Sequence, residues 1–147
     1  MMNTIKPRIY IDKEGNWYQD GYPVVHRRTY LYNNKLLKRD ENGRYYIDEG
    51  RGRVYAEVED TPFVIKDISV NKEGQPVVTL NDETSEIMDI STLLIKHNIP
   101  YIKVKNGEFT ARFNRPSYYR LAQLIKKEEN KYYINIKGYK NFIKIEQ

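Results

Sequence analysis

The segment YIKVKNGEFTARF (Tyr101–Phe113) constrains the fold more than any other stretch of the chain. Apolar and polar residues alternate on both sides of Asn106-Gly107, a dipeptide favoured in the two-residue type I′ hairpin loop. Such a loop sets Lys105 opposite Glu108, Val104 opposite Phe109, Lys103 opposite Thr110, Ile102 opposite Ala111 and Tyr101 opposite Arg112. Successive side chains take opposite faces, so Ile102, Val104, Phe109, Ala111 and Phe113 are predicted to share the buried one. The other face is basic and carries Tyr101, Lys103, Lys105, Thr110 and Arg112. Tyr101 against Arg112 is placed for a cross-strand cation–π contact.

Similar short alternating segments make up most of the chain. RIYID, NWYQ, YPVV, RYYID, RVYAEV, FVIKDIS, VVTL and KYYINIK read as strands, and glycine turns such as KEG and NKEGQP separate them. NFIKIE closes the chain as a strand after a GYKN turn. Three short helices are predicted, near Tyr30–Arg39, Thr92–His97 and Tyr118–Glu128. Thr29 is the cap candidate of the first and Ser117 of the third, where Tyr118, Leu121, Leu124 and Ile125 form one stripe. The fold class expected is α+β with mostly antiparallel strands.

HRRTYLYNNKLLKRDENGRYYI (His26–Ile47) lies without gaps on FNRPSYYRLAQLIKKEENKYYI (Phe113–Ile134). Arg28/Arg115, Tyr32/Tyr119, Leu37/Leu124, Glu41/Glu128, Tyr45/Tyr132, Tyr46/Tyr133 and Ile47/Ile134 are identical pairs. The order of arginine, cap, helix and Tyr-Tyr-Ile strand points to an internal duplication. It suggests two halves, residues 1–63 and 64–147, meeting near Thr61–Ile68.

Composition removes several chemistries. The 147 residues contain no cysteine, which excludes disulfides, thiol catalysis, Fe–S clusters and cysteine zinc sites. His26 and His97 are the only histidines and lie far apart in sequence, which argues against a histidine metal site. No P-loop, dinucleotide fingerprint, nucleophile elbow or HExxH motif occurs. No cofactor or metal is therefore expected, and an enzyme is the weaker reading. No run of apolar residues approaches a membrane span, so a cytoplasmic protein is the expectation. The net charge of +5 suits an anionic partner, but the basic residues form no long block.

The strand–helix junction in EFTARFNRPSYYRLA is the leading candidate site. Arg112 and Arg115 flank a helix start at Ser117, and free amides with fork-shaped guanidinium donors suit phosphate or carboxylate. Tyr101 or Tyr119 would stack on a ring, and Lys103 adds charge on the same strand pair. Glu59 and Asp60, in EVEDTPF, would accept hydroxyl hydrogen bonds. His26 and Arg28 precede the first helix as Arg115 precedes the second copy.

IDKEGNWYQDGYPV near the start, VEDTPF in the middle and the Leu80-Asn81-Asp82 turn resemble an uncharacterised bacterial family, domain of unknown function 1285. The resemblance implies a two-part fold with an internal duplication, whose second half is similar to a pleckstrin-homology-like barrel. It also implies a small-ligand site, nucleotide-based among the candidates, at the interface of the halves, and a link to signalling. No catalytic residue carries over. The function expected is thus non-enzymatic binding of a small anionic ligand. A protein-interaction module and a weak single-stranded nucleic-acid binder are the alternatives.

Overall fold

The computed structural model of the protein describes residues 8–146. The chain divides into two compact units, one ending at Pro62 and the other beginning at Phe63.

The first unit is a six-stranded mixed sheet with one helix. Its elements are β1 (Ile9–Ile11), β2 (Trp17–Gln19), β3 (Tyr22–Pro23), α1 (Arg27–Leu36), β4 (Lys38–Arg39), β5 (Tyr45–Asp48) and β6 (Arg53–Val58). The sheet order is β3-β2-β1-β6-β5-β4, and only β1 and β6 run parallel. Ile9, Ile11, Trp17, Leu37 and Ile47 are buried, and the Trp17 indole N–H donates to Asn34 Oδ1 at 3.2 Å. Asn34 Nδ2 in turn donates to the Tyr30 carbonyl at 2.8 Å. The opposite face is an aromatic surface. Tyr10 lies beside Tyr18 and Tyr46 beside Tyr55, while Arg53 and Arg44 each lie 4.4 Å from a ring centroid, over Tyr46 and Tyr55 respectively.

The second unit contains β7 (Phe63–Val70), β8 (Pro76–Leu80), β9 (Ser85–Ile87), a 3-10 turn (Ile90–Thr92), β10 (Leu94–Lys96), β11 (Ile99–Val104), β12 (Phe109–Phe113), α2 (Arg115–Leu124), β13 (Ile125–Glu128), β14 (Lys131–Ile136), β15 (Tyr139–Phe142) and β16 (Lys144–Glu146). Seven strands form a mixed sheet in the order β16-β10-β11-β12-β7-β8-β9, and β13-β14-β15 form a separate antiparallel meander. The seven-stranded sheet is open, with β16 and β9 at its edges, so the described residues form no closed barrel. β7 is the central apolar strand: Phe63, Val64 and Ile65 are all buried, and Phe63 meets Phe109 edge-on at 5.2 Å.

One loop chemistry recurs. In Asp12–Asn16, Asp40–Arg44 and Asn71–Gln75 the first side chain accepts the N–H groups two and four residues on. The fourth residue is glycine, with φ of +83°, +81° and +79°, and its N–H closes the turn on the first carbonyl. A side-chain turn of this type needs a short Asx acceptor and a residue free to take positive φ.

The hairpin at Asn106-Gly107 has the predicted register from Tyr101/Arg112 to Val104/Phe109, and all five predicted core residues are buried. The helices required three corrections. The first helix runs Arg27–Leu36, three residues earlier than predicted, with His26 rather than Thr29 in the cap position. The predicted helix at Thr92–His97 is a 3-10 turn followed by β10, so the described residues contain two α-helices and not three. Leu93 and Ile95, two residues apart, both turn inward, and His97-Asn98 take φ of +51° and +65° to make a two-residue hairpin into β11. The third predicted helix begins at Arg115 and ends at Leu124; residues 125–128 are β13. Its cap is Asn114, whose Oδ1 accepts the Ser117 N–H at 2.9 Å, and Pro116 suits the first turn, where its missing N–H is not needed. The last turn likewise sits at Lys137-Gly138, leaving Tyr139–Asn141 in β15.

Candidate functional site

The first unit holds a cleft of about 230 Å³ lined by residues from five separate stretches of chain. Ile9 and Trp17 come from β1 and β2, Ile47 and Val54 from β5 and β6, and Asn33 from α1. Arg8 stands just before β1, and Glu49, Arg51 and Gly52 form the loop between β5 and β6. The sheet explains the convergence. Parallel pairing sets Ile9 beside Ala56, which brings the start of β1 next to the hairpin that ends in Asp48 and Arg53.

The walls are apolar and the mouth is charged. Ile9, Trp17 and Ile47 are at most 7% exposed, whereas Arg8, Arg51 and Glu49 are exposed. Asn33 is the unusual member. It is 7% exposed and lines the cleft from α1, and no solvent-shielded side-chain polar atom of the described residues is without a hydrogen-bond partner. Its carboxamide adds donor and acceptor capacity to an otherwise apolar wall. Tyr18 also lines the cleft, but its hydroxyl is committed to Asp12 Oδ2 at 3.1 Å. That hydrogen bond, with the Asp12 charge behind it, raises the Tyr18 pKa. Arg8 and Arg51 supply planar donors for phosphate or carboxylate, and Glu49 supplies an acceptor for a hydroxyl or amine. The closed volume is below the roughly 300–1,000 Å³ of sites that enclose drug-sized ligands, so a compact polar molecule fits best.

The residues predicted from sequence fall in several places. Arg112 and Tyr101 are paired across β11 and β12 and are half-buried. Lys103 shares their face, and its Nζ donates to Thr110 Oγ1 at 2.9 Å. Arg115 is exposed at the first position of α2, and Tyr119 is 63% exposed on the same helix. Ser117 is fully buried inside the helix's first turn. Its hydroxyl lies 3.0 Å from both the Ile65 and Asn114 carbonyls, so it ties α2 to β7 and does not start the helix. Glu59, Asp60, His26 and Arg28 belong to the first unit. The Glu59 carboxylate accepts the Lys13 N–H at 2.8 Å and holds the β1–β2 turn. The Tyr10 hydroxyl also bonds Glu59; its pKa is raised, first by burial and then by the Glu59 charge. Asp60, His26 and Arg28 are exposed, and His26 makes no side-chain cap bond.

Arg8, Asn33, Glu49 and Arg51 were not anticipated from sequence. The available signal was DEGRGR (Asp48–Arg53), an arginine held between Gly50 and Gly52, both at positive φ. Among the described residues no group of three His, Asp or Glu side chains is placed to hold a metal, and no helix is long and apolar enough to cross a membrane.

The architecture has counterparts among solved structures. A DUF1285 family protein from Silicibacter pomeroyi DSS-3 superposes with a TM-score of 0.77 at 23% identity, covering 95% of this chain and 80% of that one. A second DUF1285 family protein, from Shewanella baltica OS155, gives 0.65 at 18% identity, covering 80% of this chain and 91% of that one. The fold is that of the DUF1285 family proteins. No family model matches the sequence, and no curated protein does either. The DUF1285 fold therefore stands on structure alone, and the cleft described above is a feature of this chain's own residues.

Proposed function

We propose that the protein is a divergent DUF1285 family member that binds a small anionic ligand and does not transform it. The observation that carries this reading is the cleft of the first unit, where Arg8, Arg51 and Asn33 line one concave surface with apolar walls. The ligand would place a phosphate or carboxylate on the arginines and a hydroxyl or amine near Glu49 and Asn33. The lining supports binding without chemistry. Glu49 is the one carboxylate there, Tyr18 is committed to Asp12, and no lining residue is a serine, threonine or histidine. A phosphorylated sugar fits the closed volume, and a nucleotide would leave its base at the mouth.

The internal duplication supports a two-part design for such a binder. α1 and α2 each have ten residues, and each is followed by an antiparallel strand pair, β4–β5 and β13–β14. A signalling role is consistent with a binder that lacks catalytic groups.

Trp17 lines the cleft and is the chain's only tryptophan, so its emission reads occupancy directly. The test is a titration with inorganic phosphate, ribose 5-phosphate, AMP and glutamate, followed by Trp17 emission and thermal unfolding. A ligand at a hundred times its Kd adds about 2.7 kcal/mol of stability. Arg8→Ala with Arg51→Ala should abolish the response, and Arg112→Ala with Arg115→Ala should leave it. The reverse pattern would return the site to the strand–helix junction, and no response to any probe would overturn small-anion binding.

A further inference from the structure

We propose that the solvent face of the β13–β14–β15 meander binds single-stranded nucleic acid, with bases stacking on Tyr133 and Phe142 and phosphates meeting the surrounding lysines. The register aligns Lys126, Tyr133 and Phe142 across the three strands, and Asn135 with Lys140 one step further along. Alternation puts Lys126, Glu128, Lys131, Tyr133, Asn135, Lys140 and Phe142 on one face, three cations against one carboxylate, and the buried Ile134 on the other. Tyr133 and Phe142 are neighbours, with ring centroids 5.7 Å apart, and Phe142 is 53% exposed. Phe142 packs only one flank on Tyr133 and keeps about half of its surface open to solvent.

The charge fits the same occupant. Lys140 Nζ lies 5.2 Å from the Tyr133 ring and Lys131 Nζ 5.8 Å from the Phe142 ring, so each aromatic has a cation at its edge of reach. Residues 125–146 carry six lysines against three glutamates, a net +3 of the whole chain's +5. One of the glutamates, Glu128, is held by Lys140 at 2.6 Å at the sheet margin. Aromatic rings on strands, spaced for successive bases and bordered by cations, are how sheet-based proteins hold unpaired strands. A duplex hides its base faces and cannot use such rings. This reading stands apart from the cleft of the first unit and shares no residue with it.

The test uses the full chain with fluorescein-labelled dT12 and rU12 and a duplex of equal length, read by fluorescence anisotropy at 50 and 200 mM salt. Both single strands should bind more tightly than the duplex. Phe142→Ala should weaken single-strand binding about tenfold, the order of loss when one base is unstacked. Lys126→Gln and Lys131→Gln should each lower the slope of log K against log salt by about 0.7. Both lysines are surface residues, so these variants keep the test valid if Phe142→Ala disturbs the sheet. Arg8→Ala with Arg51→Ala should change nothing. Duplex binding as tight as single-strand binding, or affinity unmoved by Phe142→Ala in a folded protein, would overturn the proposal. So would an absence of binding at 50 mM salt, and so would binding to phosphatidylserine vesicles while neither oligonucleotide binds.

Discussion

Replacing Lys105 by methionine should destabilise the second unit by about 2–3 kcal/mol at neutral pH, and the loss should fade in acid. Lys105 ties two turns of the seven-stranded sheet together. Its N–H points between the Glu86 carboxylate oxygens at 3.2 and 3.3 Å, while its Nζ reaches Asp82 Oδ2 at 2.7 Å and Thr84 Oγ1 at 3.0 Å. Nζ also lies 5.2 Å from the Phe63 ring centroid. The Asp82 side chain is only 8% exposed and that of Lys105 27%, so the pair is partly desolvated. A charge-assisted hydrogen bond contributes about 1.5–3 kcal/mol, and breaking a fully buried pair costs about 3–5. The exposure of Lys105 and the Thr84 N–H still left to Asp82 place the cost near the lower range. Burial alone would raise the Asp82 pKa, but the Lys105 and Thr84 hydrogen bonds outweigh it and the pKa is lowered. A carboxyl with a depressed folded pKa stabilises fully above its unfolded value, about 3.9, and loses that contribution as pH falls through the folded pKa. Methionine keeps the apolar stem, so the difference isolates the charge. Urea unfolding followed by circular dichroism at pH 7 and pH 3 measures it. A cost below about 0.5 kcal/mol at pH 7, or an equal cost at both pH values, would show that the Lys105–Asp82 pair does not stabilise the sheet.

Three further outcomes follow from the same structure. Asn33→Leu should abolish the response to small anions while leaving the first unit cooperatively folded, because it removes the carboxamide from the cleft lining; urea unfolding read by Trp17 emission, with and without ligand, checks both. Asn114→Ala should cost about 1 kcal/mol through loss of the α2 cap, whereas Arg115→Ala at the exposed next position should stay within about 0.5 kcal/mol in the same unfolding assay. Acid should unfold the first unit partly through Asp40, whose pKa is lowered first by the Arg44 N–H and then by the Tyr55 hydroxyl and the Asn42 N–H. Its contribution is present above the ordinary carboxylate pKa and disappears as pH falls below it, so Asp40→Asn should flatten the acid limb of a Trp17-monitored pH titration.

The hairpin of β11 and β12 was readable because its information is local: alternation sets the faces and Asn106-Gly107 sets the register. The error at Thr92–His97 has the opposite origin. STLLIKHN offers a plausible cap and basic end, and only pairing with β11 and β16 selects the extended form. Ser117 misled for a related reason. Asn114 lies three residues before it and takes the cap, which leaves the serine free to bond the Ile65 carbonyl of a strand fifty-two residues away. The cleft was harder still. Arg8, Asn33 and Arg51 form no sequence motif together, and what assembles them is the parallel pairing of β1 with β6, which no local pattern encodes. Of the meander, KYYINIK was visible in sequence as strand; residues 125–128 read as helix and GYKN as a turn, and which rings share a face with which lysines depended on turns placed at Glu129-Asn130 and Lys137-Gly138.

The proposed occupant of the first unit's cleft is a small anion. Side-chain NMR of the full chain, titrated with ribose 5-phosphate and with inorganic phosphate, tests it most directly. Occupancy of the cleft should give saturable shifts of the Asn33 Nδ2 protons, the Trp17 indole proton and the Arg8 and Arg51 Nε resonances, with Arg112 and Arg115 unmoved. Shifts confined to Arg112 and Arg115, or none at any of these groups at millimolar ligand, would contradict it.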